Sequence, residues 1–528
     1  MPPSLDMFAL ATPVQGAALL ATAAATAYAL VTRDRRRRAL AMLAAPVLAV
    51  IAIGTLAETV DVPSIGTKVI AAGVAGAIGV VVLTWIVWRR PNAFALLAVA
   101  ALPFRVPVSI GDSAANLLLP LYGVIAAGIL TYAWKWLRAE QTEDSEREPL
   151  VRWLQIAFAG VLGLYALQAL YSDDLEQALK NLCLFYVPFA VLFLLLLDTI
   201  WTRKLLTASF RVTVALALVF AAIGCVEFAT GHLLITNEKV VEANDLLPYF
   251  RVNSLFFDPN IFGRYLALTM LLLATVLLWT RRSREAGLIG AALVLLWLGL
   301  VFSLSQSSFA ALLLGLAVLA ALRWKPWPVV AAIAGAAVVA VAVVALAPGL
   351  LNLETGKQDW WNRASSGRAD LIAGGLRMVR DKPLIGFGSG AYADTFRARE
   401  HVSSEKVAAA SHTIPLTVTA EQGVIGLAAY LALVAVSLAL VFRGLRARLQ
   451  PGWPGVAPIA LAGIAAAYAA LLLHTLVYAA YLEDPLVWVL LAIAAGLRTR
   501  GGTVPPDEAP ASTRATKGGL SPLGVTRA

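Results

Sequence analysis

The chain has 528 residues, of which 60% are hydrophobic and 14% charged, and its mean hydropathy is +0.78. That balance excludes a soluble globular enzyme and implies an integral membrane protein. The net charge of +10 would suit a nucleic-acid partner if the basic residues formed one domain, but they fall as short clusters between apolar blocks, the pattern of cytoplasmic loops in a multi-pass protein.

The first apolar block, from about Phe8 to Val31, follows MPPSLD, which lacks the basic region of a cleavable signal peptide. Eight basic clusters then punctuate the chain: RDRRRR at 33–38, RR at 89–90, KWLR at 135–138, RK at 203–204, RRSR at 281–284, RWK at 323–325, RGLRAR at 443–448 and RTR at 498–500. The apolar blocks between them are about 17 to 25 residues long, enough to cross a ~30 Å hydrocarbon core as helices. Ten-residue alternating segments of a membrane β-barrel are not seen. If every cluster is cytoplasmic, each gap holds an out-and-back pair of helices, which predicts an all-α bundle of about fifteen, with the N-terminus outside and the C-terminus inside. Cys183 and Cys225 lie inside apolar blocks, so no disulfide framework is expected.

The same alternation assigns an outer side to several polar segments. Arg105 stands in LPFRVPVSIGD, and Asp258, Pro259 and Asn260 form a turn and cap after Arg251 and ahead of an apolar helix. Arg264 lies about one turn inside that helix, where an arginine is either functional or snorkels to the interface. SLSQSS at 303–308 is the next outer turn. The segment 347–411 is far longer than a hairpin needs and carries nine lysines and arginines, which fit anionic lipid headgroups or a specific anionic ligand. Within it, Ser366 can cap an amphipathic surface helix that begins near Arg368, carries Leu371, Ile372, Leu376 and Val379 at helical spacing, and ends at Pro383. GFGSG at 386–390 reads as a tight turn rather than a phosphate loop, since no strand precedes it.

In ASHTIPLTVTAEQGVIG, His412 precedes Pro415, a residue suited to a helix first turn, and so belongs to the outer loop. It is either a surface histidine or a base. Glu421 falls about 9 Å further along the helix, where a carboxylate needs a hydrogen-bonding partner or a wet cavity. Its two readings are a structural hydrogen bond and a chemical role. After residue 500 the chain is rich in Gly, Pro and small polar residues, as in a disordered cytoplasmic tail.

The ordered set of Arg251 with DPN, the SQSS turn, SGR, PLIGFG and a histidine followed by E-x-G-x-x-G resembles the O-antigen ligase and polymerase superfamily of bacterial membrane glycosyltransferases. The resemblance covers roughly 94–498. It implies a GT-C-like helical bundle divided into additional N-terminal helices (1–92), a transmembrane core (93–347), a large periplasmic or extracellular loop (348–411), C-terminal helices (412–500) and a tail (501–528). It also implies a multi-pass protein of the inner membrane with its site on the outer face. The implied donor is a glycan on a polyprenyl diphosphate, and the acceptor is a lipid or another glycan. Carried onto this chain, His412 matches the proposed base and Arg251 and Arg368 the arginines implicated in holding the diphosphate. Two departures are Thr413, where the family often has Asn, and Ser308, where it often has arginine; Arg264 or Arg105 could supply the missing cation. Glu421 would orient the histidine or the acceptor. No cofactor is implied, and the outer carboxylates, among them Asp173, Asp174 and Glu483, form no clear metal-ligand cluster. The competing readings are a polysaccharide polymerase of the same superfamily and a small-anion, bicarbonate-type transporter, which would need polar or broken helices near the midplane.

Overall fold

The computed structural model describes residues 12–57, 67–110, 113–139, 147–235, 240–241, 244, 249–280, 282–324, 326–329, 331, 334–335, 368–400, 413–449, 454–476, 478 and 480–499. Its helices are α1 (Pro13–Val31), α2 (Arg35–Ala57), α3 (Thr67–Arg89), α4 (Asn92–Ala101), α5 (Leu119–Leu137), α6 (Pro149–Ala169), α7 (Leu175–Asn181), α8 (Val187–Leu197) and α9 (Arg203–Thr230), followed by α10 (Pro259–Trp279), α11 (Ser283–Ser303), α12 (Gln306–Arg323), α13 (Arg368–Asp381), α14 (Tyr392–Glu400), α15 (Ile414–Phe442), α16 (Leu445–Leu449), α17 (Val456–Thr475) and α18 (Pro485–Thr499). Among the described residues, ten helical spans are long and apolar enough to cross a membrane, α7 and α8 counting as one, and shorter apolar helices occur at Gly73–Arg89, Asn92–Ala101 and Pro485–Arg498. The polytopic all-α architecture is therefore present. Of the fifteen expected helices, the one predicted after Arg323 falls mostly in 336–367, outside the described residues, as do Ser366 and the tail beyond 499.

A hairpin of β1 (Val106–Ile110) and β2 (Ser113–Leu117) joins α4 to α5, pairing Val106 with Leu117 and Val108 with Ala115. It was not expected from the helical punctuation, although the alternation in VPVSI is a strand signal.

Local chemistry sets the helix ends. Thr12 and Gln15 form a reciprocal capping box at α1, with Pro13 at the first helical position. Thr202 caps α9 by accepting from the Leu205 N–H, and Gly231 closes it in the left-handed region. Between α7 and α8 the chain makes a π turn, Leu182–Tyr186. Pro188 has no N–H to give the Leu184 carbonyl, and that oxygen accepts from the Tyr122 hydroxyl instead.

The basic clusters gather at one end of the bundle. Arg38 and Arg147 both reach Asp198 (3.7 and 2.8 Å), Arg498 pairs with Glu148 at 3.4 Å and donates to the Arg443 carbonyl, and Arg446 donates to the Trp324 carbonyl. These contacts carry α1, α2 and α6 into the same core as α8, where Phe158 stacks on Trp488 of α18 at 4.2 Å. The candidate site lies at the opposite end, called distal below.

Candidate functional site at the distal end

Two aspartate-proline corners organise the distal end. Asp258 caps α10 by accepting from the Asn260 N–H at 2.6 Å, and Asp484 caps α18 by accepting from the Leu486 N–H at 3.0 Å. Each carboxylate spends one oxygen on its own helix and offers the other to the partner corner. Tyr478, six residues before Asp484, donates to Asp258 Oδ2 at 2.9 Å, and Arg264 of α10 meets Asp484 Oδ2 at 2.9 Å. The two helix starts are thus tied reciprocally.

Arg264 is 2% exposed, so the snorkelling alternative does not apply. It is held by a carboxylate that is itself 1% exposed, and its Nε and Nη1 have no hydrogen-bond partner among the described residues. Arg105, half-buried just after α4, lies within electrostatic reach of Asp484, Arg264 and Tyr478. Arg251 is fixed on two sides: its backbone exchanges hydrogen bonds with Asn244, and its Nε donates to the Ser303 carbonyl at 3.1 Å. Its Nη2 is 3.4 Å from Asn260 Oδ1, one helical turn before Arg264. Three of the four arginines selected from sequence, Arg105, Arg251 and Arg264, therefore converge on the first turns of α10. Of the fourth, Arg368, the structure describes the backbone as the first residue of α13 and not the side chain.

The SQSS turn packs beneath this group. Leu304 takes a left-handed conformation (φ 50°), and Ser305 donates to Asn260 Oδ1 at 2.9 Å and lies 2.8 Å from the Ser308 hydroxyl. Ser307 contacts Nε2 of His474, a fully buried histidine, at 3.2 Å. Ser308 thus serves packing: a Cβ on Gly263 would stand 2.9 Å from its hydroxyl, so both the glycine and the small residues are needed for α10 and α12 to approach. Below, Glu227 of α9 is 0% exposed and accepts from the Ser254 and Leu234 N–H groups at 2.7 and 2.9 Å, pinning the segment that carries Arg251.

Glu421 belongs to a different construction. Its carboxylate accepts from the Gly390 and Tyr392 N–H groups at 3.0 and 3.2 Å, and its carbonyl accepts from Gly388 at 2.8 Å. Those bonds match the structural reading of this residue. Gly386, Gly388 and Gly390 all have positive φ, as a turn requires, and a Cβ at Gly388 would lie 2.2 Å from the Ser172 backbone. Ser389 bonds to Tyr165, Ser172 and Gln422, and α15 bends at Gly423 (φ 65°) to admit Leu384. Met378, Phe387, Tyr392, Phe396 and Ala420 form a satellite core with Leu371 and Val379 packed on it. The predicted amphipathic helix α13 is therefore two-sided: Leu371 and Val379 face protein, whereas Ile372 and Leu376 are exposed, as are Leu384, Ile385, Val424 and Ile425.

His412 lies outside the described residues. Thr413, to which it is bonded, is extended, and α15 begins at Ile414. The Thr413 hydroxyl donates to the Leu476 carbonyl at 2.5 Å, next to the segment that carries Tyr478 and Asp484. Glu483, beside Asp484, accepts from the Tyr186 hydroxyl at 2.7 Å, at the end of the π turn. Burial raises its carboxyl pKa, and the Tyr186 hydrogen bond opposes that shift. Asp484, Tyr478, Glu227 and His474 were not selected from sequence as site residues. The repeated Asp-Pro pair, at 258–259 and 484–485, is the signal that could have found Asp484.

Residues 291–431 match the family model described as O-antigen ligase. The match spans the SQSS turn, Arg368, the glycine loop, His412 and Glu421, and stops short of Arg105, Arg251, Arg264 and Asp484. No curated protein matches the chain. Residues 291–431 are thus similar to the O-antigen ligase family, and they lie within a polytopic helical membrane protein.

Proposed function

We propose that the protein transfers a glycan from a polyprenyl diphosphate to an acceptor lipid or glycan, on the outer side of the cytoplasmic membrane, by an inverting displacement that uses no metal. The observation that carries this reading is the convergence of Arg105, Arg251 and Arg264 on one helix start, at the end of the bundle away from the basic clusters. Along α10, Arg264 lies about 22 Å from Trp279 and the basic end, and Asp484 lies at a matching height along α18. In a ~30 Å hydrocarbon core the pair is recessed but close to the distal surface, the depth of a lipid-borne diphosphate just below its headgroup plane.

In this mechanism the acceptor hydroxyl attacks the anomeric carbon as the bond to the diphosphate oxygen breaks. Charge grows on the leaving phosphate, and planar guanidinium groups match its oxygens. Arg264 contributes its unpartnered Nε and Nη1, Arg105 adds a second charge, and Arg251 reaches in from the Asn260 side. Arg368 is the fourth clamp. His412 takes the proton from the acceptor, worth about 10² to 10⁴ in rate. Its neighbour Thr413 is anchored at Leu476, which favours a base near the arginines. Glu421 acts indirectly, by holding the loop from which α15 and this segment depart.

The test is incubation of purified protein with a polyprenyl-diphosphate glycan, with and without acceptor lipid. A single acceptor-dependent shift is expected for a ligase, whereas a ladder of lengths would identify a polymerase. Uptake of a small anion into proteoliposomes with no glycan transfer would reject the reading.

A further inference from the structure

Between α9, α10, α17 and α18 lies an apolar groove of about 580 Å³, within the range of ligand sites. Phe210, Leu272 and Ala460 are among its walls, and along α10 it runs from Tyr265 to Val276, about 16 Å of helix axis. That length is close to half of a ~30 Å hydrocarbon core, the depth of one leaflet. The charged side chains that line it are Arg203, Arg211 and Glu285.

Two of these are unpaired cations at one height. Helices α9 and α10 run antiparallel, and a Cβ on Gly224 of α9 would stand 3.1 Å from the Phe262 ring of α10. Thirteen residues from each of these towards the basic end stand Arg211 on α9 and Thr275, a groove residue, on α10. Arg211 is therefore level with Thr275, about 6 Å inside Trp279, at the mouth of the groove. Arg203, Thr207 and Arg211 follow at i, i+4 and i+8 and form one stripe along its edge. Helical side chains lean towards the helix N-terminus, so Arg211 leans towards Thr207 and Arg203. Both arginines are exposed, and neither has a hydrogen bond or ion pair among the described residues. Glu285 does not neutralise them, since its oxygens are taken by Thr280 at 2.8 Å and Arg282 at 3.0 Å.

Ser209 stands two residues from Arg211 and so on the far edge of the same α9 face. It is 7% exposed, and its hydroxyl has no hydrogen-bond partner among the described residues. A hydroxyl buried in an apolar wall is costly unless an acceptor meets it. Unpaired cations at the mouth, an unpaired donor at their height and an apolar slot one leaflet deep fit a single molecule: a phosphate, an ester carbonyl beside it and a hydrocarbon chain. An isoprenoid chain offers Ser209 no acceptor below its phosphate.

We propose that the groove seats an anionic glycerophospholipid from the leaflet at the basic end. Its phosphate lies between Arg203 and Arg211, an ester carbonyl accepts from Ser209, and one acyl chain runs between α10, α17 and α18. Because α10 and α18 carry Arg264 and Asp484, the bound lipid braces the two aspartate-proline corners from the opposite end of the bundle. The site is separate from the distal arginines and does not depend on the transfer reading.

The test measures retention of dioleoylphosphatidylglycerol and dioleoylphosphatidylcholine by the delipidated full-length protein in detergent, from native mass spectra and from the rise in melting temperature. Wild type should hold the anionic lipid about thirtyfold better, each arginine contributing on the scale of attraction to an anionic headgroup. Arg211→Gln should cut the ratio to about fivefold, and adding Arg203→Gln should abolish it. Ser209→Ala should weaken both lipids alike, since both carry the ester, and Ala460→Phe, which fills the slot, should release both. The exposed arginine variants should melt as wild type does without lipid, which separates lost binding from lost fold. Equal retention of the two lipids by wild type, or an unchanged ratio in the double arginine variant, overturns the proposal. So does wild-type retention by a folded Ala460→Phe protein, which would reduce the effect to surface charge. Displacement of phosphatidylglycerol by undecaprenyl phosphate at equal concentration would make the groove a carrier site and overturn it as well.

Discussion

Around the start of α10 the distal end is built from charged side chains, whereas around the glycine loop it is built from backbone. In the first region Arg264 and Asp484 are buried together and Arg251 hangs between Asn244, Ser303 and Asn260. In the second, Glu421 is spent on two N–H groups, and close approach of main chains depends on Gly386, Gly388 and Gly423. The matched O-antigen ligase segment contains the second region and omits the first. The most recognisable motifs, PLIGFG and E-x-G-x-x-G, thus join main chains beside the first turns of α15, whereas the buried Arg264–Asp484 pair lies outside them.

The comparison can be broken most sharply at Arg264. Arg264→Met leaves the buried Asp484 without its ion-pair partner, with Arg105 the remaining cation within electrostatic reach among the described residues, and should cost about 3 kcal/mol of stability, read from thermal unfolding in detergent. The double variant Arg264→Met with Asp484→Leu should regain most of that stability and still bind polyprenyl diphosphate poorly, since only the pair's structural role is replaceable by apolar packing. Recovery of binding in the double variant would mean that the pair is scaffold too.

Gly388→Ala probes the backbone half. With φ at 99° and a Cβ 2.2 Å from Ser172, it should destabilise by several kcal/mol, on the scale of strained-backbone and overpacking changes. The transfer rate per folded molecule should change little. Glu421→Gln keeps one acceptor oxygen and should lose about 1 to 3 kcal/mol, with transfer per folded molecule within about tenfold of wild type; a far larger loss would return a chemical role to this carboxylate. The smallest expected effect is at Glu483. Its carboxyl pKa is raised in the fold, so ionisation at neutral pH opposes folding and protonation relieves it. Glu483→Gln should therefore raise the melting temperature slightly at neutral pH, and the gain should vanish as pH falls through the raised pKa.

Much of the architecture is legible in the sequence because membrane insertion imposes simple rules. Basic clusters mark one end of the bundle, and Pro259, Pro415 and Gly231 mark helix boundaries through backbone chemistry that no tertiary contact overrides. The hairpin 106–117 was obscured because its alternation is short and sits between two apolar helices. At the site, Arg105, Arg251 and Arg264 were legible as costly charges near the membrane. Their partners were not. Asp484 looks like an ordinary cap until α18 is seen beside α10, and Glu227 reads as the polar end of a long helix until the 249–258 segment folds over it. The role of Glu421 was undecided for the same reason, since its partners are main-chain groups about 30 residues earlier.

The central claim is that the arginines at the start of α10 hold the donor's diphosphate, and it is tested most directly by donor kinetics of a folded variant. In the Arg264→Met, Asp484→Leu protein, with folding verified by its melting temperature, kcat/KM for a polyprenyl-diphosphate glycan should fall about ten- to hundredfold, the worth of charge-assisted hydrogen bonds. Wild-type kcat/KM in that protein would contradict the account.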